Sequence, residues 1–262
     1  MKKATPSTRS LWSGRISIGL VNVPVKLYTM IRDKSFSFRF LRKDDACPLK
    51  YQRVCTLDDH VVEWEDVVRG YEVRKGEFVI FDNEELKALR PESSRKIQID
   101  KFVHALSIDP IYYDRSYILV PDLSEDAYSL LHATLKKKGM AAVGTFTLRN
   151  KEHPVLIHAY RGALILTTLL YANEVVDPLD VDVLQTLEEP SETELALAEK
   201  IIDNLTGEFH IEEYQDGFKA KVEQAIQRKI QGETIVIEEP KSEDVKELME
   251  ALQETLKRLQ TT

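Results

Sequence analysis

The first long pattern in the chain is an alternation that changes phase. Apolar side chains fall on even positions at Ile16, Ile18 and Leu20, then on odd ones at Val21, Val23, Val25 and Leu27. Period-two alternation marks a half-buried strand. The phase change predicts a bulge or bend near Leu20-Val21, of the kind that turns a barrel corner, with Gly19 and Pro24 where the ladder is interrupted. Phe36, Phe38 and Phe40 predict a further strand with a buried aromatic face. Strand density stays high through Tyr71-Glu72-Val73, Phe78-Val79-Ile80-Phe81, Ile97-Gln98-Ile99 and Tyr117-Ile118-Leu119-Val120, which reads as a barrel or curved sheet.

Helix signals punctuate the strands. Asp82 with Glu85 forms a capping box for a short helix through Leu89, and Ser124 caps a helix over 125–138 that Gly139 ends. Strands near 141–148 and 155–160 follow, and Gly162 then turns the chain into the apolar run 164–170, a buried central strand. From Glu174 to Pro190 the composition shifts to Asp, Glu and Pro with scattered Val and Leu, which predicts an extended arm that crosses a neighbour. The box from Ser191 to Glu194 opens a helix ending near Gly207, and a second helix runs from about Glu212 to Gln231. Ser242 caps a last helix, amphipathic through Val245, Leu248, Met249, Leu252, Leu256 and Leu259. The expected organisation is a mixed β/α, mainly β, core over 1–172, an arm with helices over 173–237, and a short C-terminal amphipathic helix over 238–262.

Composition sharpens this little: 262 residues with 43% hydrophobic and 31% charged residues are those of a globular chain with a sizeable core. No apolar run approaches a membrane span and no leader-like segment opens the sequence, so a cytoplasmic protein without a membrane partner is expected. The two cysteines are read as reduced thiols. Charge changes the picture more. A net charge of −8 argues against a polyanionic partner, but residues 1–50 hold eleven Lys/Arg against three Asp/Glu, while residues 171–262 hold nine against twenty-three. A basic N-terminal face can bind a polyanion while the acidic C-terminal third keeps the remaining surface off it.

No nucleophile motif, Gly-rich phosphate loop or His-rich metal helix is present. Cys47, Cys55 and His60 resemble part of a zinc knuckle, and Asp58 or Asp59 would complete only a poor site, so no metal is expected. The DNA-binding candidates are Arg32, Lys34, Arg39, Arg42, Lys43, Lys50 and Arg53, with Arg69 and Arg149 further on. Their density in a loop-rich stretch suits contact with a phosphate backbone without base readout; the plain alternative is a solvated face. The run 136–138 of three lysines sits in a helix's last turn, where cations complement the macrodipole without any ligand.

The stretch 11–28 closely resembles the opening of prokaryotic Ku proteins, from Leu11-Trp12-Ser13-Gly14-Arg15 through Val21-Asn22-Val23-Pro24 to Lys26-Leu27-Tyr28. Further similarities follow in order: Val68-Arg69-Gly70-Tyr71-Glu72, Pro91-Glu92-Ser93-Ser94-Arg95, Ile108-Asp109-Pro110-Ile111-Tyr112-Tyr113, Ala127-Tyr128-Ser129-Leu130-Leu131 and Leu205-Thr206-Gly207. The resemblance spans about residues 11–232. It implies a Ku core β-barrel with a bridge insertion, then an arm and C-terminal helices that embrace a second copy. The implied homodimeric ring holds double-stranded DNA ends by their backbone in non-homologous end joining, associates with the nucleoid and recruits an ATP-dependent DNA ligase. It implies no catalytic residue and no cofactor. Some relatives carry cysteines where this chain has Asp58 and Asp59, and others a lysine-rich tail where this chain stops at Thr262, so neither metal binding nor tail-mediated DNA binding carries over. The last helix suits a protein groove or its own domain equally.

Two other classes remain as alternatives. A β-barrel RNA-binding module would expose aromatics for base stacking, whereas the phenylalanines at 36–40 read as a buried face. An uncharacterised hydrolase would need an acid, base and nucleophile that no spacing assembles.

Overall fold

The computed structural model describes residues 9–32, 35–89, 95–149, 151–233 and 248–259. The chain divides into two units, one of residues 1–34 and 38–176, the other of residues 35–37 and 177–262.

The first unit is built on a closed seven-stranded barrel. Its strands are β1 (Trp12–Ile18), β2 (Val21–Thr29), β5 (Lys96–His104), β6 (Tyr113–Pro121), β7 (Met140–Leu148), β8 (Lys151–Tyr160) and β9 (Ala163–Leu169). Around the barrel the order is β1-β2-β6-β9-β8-β7-β5, and the parallel pairing of β5 with β1 at Arg15↔Lys96 through Ser17↔Gln98 closes it. Mixed alternating and continuous apolar strands thus bury a common interior, as the sequence predicts. Ile16, Val25, Leu27, Ile97, Leu119 and Leu166 are fully enclosed.

The phase change at Leu20-Val21 has another cause than the predicted bulge. β1 and β2 form a hairpin across Gly19 and Leu20, with Ile18 opposite Val21 and Ile16 opposite Val23. A two-residue loop pairs even positions with odd ones, so the inward set changes parity while every inward side chain stays inward. Gly19 takes the left-handed conformation (φ 58°) such a turn requires, and Leu20 at its tip is fully exposed.

Closure imposes a glycine elsewhere. A Cβ at Gly144 of β7 would lie 1.8 Å from the Gln98 carbonyl oxygen of β5, beside the bulge between Ile99 and Lys101. Only a residue without a side chain lets these backbones approach so closely.

Helix α2 (Glu125–Lys138) lies against β8, β7 and β2. Tyr128 and Leu135 join the barrel core, and the Tyr128 hydroxyl donates to the Leu119 carbonyl (2.7 Å) and accepts from the Leu164 amide (2.7 Å). Gly139 ends α2 as expected, whereas Ser124 occupies the N-cap position without a side-chain cap bond.

Between β2 and β5 the chain makes an insertion, residues 30–95, that buries no described residue. It holds the hairpin of β3 (Arg69–Arg74) and β4 (Glu77–Phe81), followed by α1 (Asn83–Ala88) with the predicted Asp82/Glu85 capping box. The strand expected over Phe36, Phe38 and Phe40 is absent. Those residues have no regular structure, and Phe38 and Phe40 are 70% and 72% exposed. Aromatic alternation alone makes no strand when no neighbouring strand is there to pair with it.

In the second unit, the stretch expected as an extended arm holds 3-10 turns at Pro178–Asp180 and Asp182–Thr186. Helix α3 (Glu192–Leu205) starts with the predicted Ser191/Glu194 capping box. Helix α4 (Gly217–Ile230) begins later than expected, because Asp216 supplies the cap by accepting from the Lys219 amide (3.0 Å). Helix α5 (Leu248–Leu259) packs against α3. Ser242 and Val245, the expected start of that helix, lie outside the described residues.

Candidate nucleic-acid interface

The interface candidates sit on a strap without a core. From Phe38 to Val68 order comes from local hydrogen bonds, and two turns repeat the same backbone. In one, Arg42 and Cys47 pair and the Ala46 amide donates to the Arg42 carbonyl; in the other, Cys55 and His60 pair and the Asp59 amide donates to the Cys55 carbonyl. Ala46 and Asp59 both take positive φ, 56° and 58°. Asp45 accepts from the Cys47 amide (3.1 Å), and Asp58 accepts from the His60 amide (3.2 Å). Bridges Leu41↔Pro48 and Val54↔Val61 close the two turns.

Two side chains named above are engaged by these turns. Asp58, offered above as a metal ligand, is held by its own turn. Among the described residues no group of three or more His, Cys, Asp or Glu is placed to hold a metal ion. Arg42 is engaged too: its guanidinium grips Asp45 in a bidentate pair, and this partner holds the Asp45 carboxyl below the usual carboxylate range. An arginine spent on an internal carboxylate has less to offer a phosphate.

The other basic residues are distributed as follows. Arg39, Lys43 and Lys50 are exposed along the strap, and Arg32 is exposed just beyond β2. Lys34 lies outside the described residues. Arg53 stacks over Trp64, 4.3 Å from the ring centroid, with the tryptophan itself 65% exposed. Stacking fixes the guanidinium plane while leaving its edge available. Arg69 opens β3 and walls a small, almost wholly apolar cavity with Tyr71, Val73, Val79, Phe81 and Leu86. Lys136, Lys137 and Lys138 fall in the last turn of α2, as expected.

Arg149 belongs to a different place. It occupies the turn between β7 and β8 with φ 50° and lines a cavity of about 950 Å³ at one end of the barrel. Arg115, Lys151 and His153 line the same cavity. None of these three is singled out by the sequence, because Arg115 on β6 and Lys151 and His153 on β8 meet only as the strands on either side of β9. A local trace of the site is the pair of cations Arg149 and Lys151, separated by one residue.

The assembled picture is a closed barrel interrupted by a coreless insertion, with most of the predicted cations on that insertion's exposed side chains. The chain belongs to the Ku family: residues 17–197 match the model of the Ku70/Ku80 beta-barrel domain. It is 35% identical to the non-homologous end joining protein Ku of Bacillus subtilis (strain 168), over 98% of this chain and 84% of that protein. To the proteins of the same name from Archaeoglobus fulgidus and Mycolicibacterium smegmatis it is 34% and 33% identical, covering 95% of this chain in each case and 98% and 82% of those proteins. The family is one of DNA-end-binding proteins of end joining.

Proposed function

We infer that this chain binds double-stranded DNA ends without catalysing a reaction, as a homodimeric ring that brings an ATP-dependent DNA ligase to the break. The observation that carries this reading is the insertion of residues 30–95: it buries no described residue, yet is held in place by caps, turns and an ion pair. A segment that folds without a core and presents Arg39, Lys43 and Lys50 to solvent is suited to lie along phosphates, which supply affinity without sequence preference. The homodimer is supported by the arm, where Val176, Leu179, Val183 and Leu187 are exposed on one short stretch. Apolar side chains gathered so densely on a surface favour a protein partner. A second copy supplies one, and sedimentation at twice the 30.1 kDa chain mass is the result expected.

The test of the interface is the triple replacement of Arg39, Lys43 and Lys50 by Ala. Each removed phosphate contact lowers the slope of log affinity against log salt by about 0.9. The triple variant is expected to bind duplex ends more weakly with a slope shallower by about 2 to 3. An unchanged affinity and slope would move the interface off the strap.

A further inference from the structure

The open end of the barrel holds a second constellation of cations that neither the fold nor the strap requires. β1 and β5 start there and β2 ends there, so the insertion both leaves and returns at this end, next to a cavity of about 950 Å³. At the other end α2 packs on the strands and Tyr128 ties Leu119 to Leu164.

Charged and polar groups stand in the cavity beside the apolar side chains of Leu11, Ile31 and Leu148. A bulge in β6 between Tyr113 and Ser116 places Asp114 and Arg115 side by side at the mouth. Thr168 repairs the interrupted ladder: its hydroxyl accepts from the Arg115 amide (3.1 Å) and donates to the Asp114 carboxylate (3.0 Å). Asp114, the one carboxylate among the described residues that line the cavity, thus has its hydrogen bond from Thr168, and the Arg115 guanidinium lies 3.9 Å from it. Lys151 is occupied by Glu174, 2.9 Å away, and their pairing secures the segment after β9. What remains is Arg115, held by its carboxylate only at long range, and Arg149, which has no ion-pair partner among the described residues. His153 stands beside them, its proton affinity lowered by burial and by Lys151. Arg115 and Arg149 thus stand at a cavity whose nearby carboxylates, Asp114 and Glu174, already have partners, in a chain whose net charge is −8.

We propose that this cavity is a binding site for a phosphate group, with Arg115 and Arg149 as its anion ligands. Guanidinium groups on fixed strand ends match the planar, bidentate geometry of phosphate oxygens. The strained φ of Arg149 is the kind of local cost that is retained where a side chain must be aimed. The phosphate has two available sources, a small free phosphate compound or the DNA held by the neighbouring insertion. The site itself does not depend on the DNA-end reading.

Inorganic pyrophosphate titrated into the full chain by calorimetry, at constant ionic strength set with chloride, tests the proposal. Saturable binding is expected, weakened at least about tenfold in Arg115→Gln and in Arg149→Gln. The Arg115 side chain is 73% exposed, so Arg115→Gln is expected to keep the parent melting temperature, which is measured alongside. A second titration with the protein saturated by blunt duplex separates the sources. Loss of pyrophosphate binding assigns the cavity to DNA phosphates, and unchanged binding assigns it to a free ligand. No saturable binding, or equal affinity in parent and both variants, would overturn the proposal.

Discussion

Strand β9 buries six of its seven residues, whereas the insertion of residues 30–95 buries none of those described. The first region is held by closure: each strand lies between two others, and loss of one contact is felt around the ring. The second is held residue by residue, through the Asp82/Glu85 box, the Arg42–Asp45 pair and the Arg53–Trp64 stack. Stability therefore rests on the barrel, and the binding proposed for the strap is separable from it.

The sharpest way to break that separation is at the barrel seam. Gly144→Ala pushes a methyl into the Gln98 carbonyl, and the strands on both sides are fixed by their own ladders. The variant is expected to lose about 3 kcal/mol or more in urea unfolding, or not to fold. A loss under about 1 kcal/mol would mean that the seam gives way cheaply and that closure matters less than stated.

Tyr128→Phe comes next. It leaves the Leu164 amide without its acceptor and the Leu119 carbonyl without its donor, both inside the core. The expected cost is about 1 to 3 kcal/mol, with affinity for DNA ends unchanged once the protein is folded. The strap triple variant is the mirror image. Its stability should stay within about 0.5 kcal/mol of the parent while its salt slope falls.

The smallest effect concerns pH. Burial lowers the proton affinity of His158 on β8, and its Nδ1 has no hydrogen-bond partner among the described residues. The unfolded chain therefore takes up this proton first, at about pH 6.5. Stability is fully present above that value and falls as the pH drops toward the lower folded pKa, where the loss levels off. His158→Phe should flatten this acid limb in thermal melts at pH 5 to 7.5. An equally steep limb in the variant would assign it to His153 or to another group.

The same contrast explains what was legible in the sequence. Barrel strands announce themselves because burial imposes alternation, as at Val21, Val23, Val25 and Leu27, and helix starts because caps are local, as at Asp82 and Ser191. The β1–β2 hairpin was misread as a bend, since a two-residue loop and a bulge shift parity alike. Phe36, Phe38 and Phe40 misled because alternation implies burial only where there is a sheet to join. Arg42 showed as a cation without its partner Asp45, three residues away. The mouth cavity stayed hidden because Arg115 and Arg149 are brought together by strand order, which no local pattern encodes.

The central claim is that the strap belongs to a ring that threads DNA ends. A gel shift comparing a linear duplex with the same duplex circularised, or capped by bulky hairpins at both ends, tests it most directly. Binding to open ends alone is the predicted result. Equal binding to open and closed duplexes would show that the basic strap grips DNA from the side, and would contradict the ring.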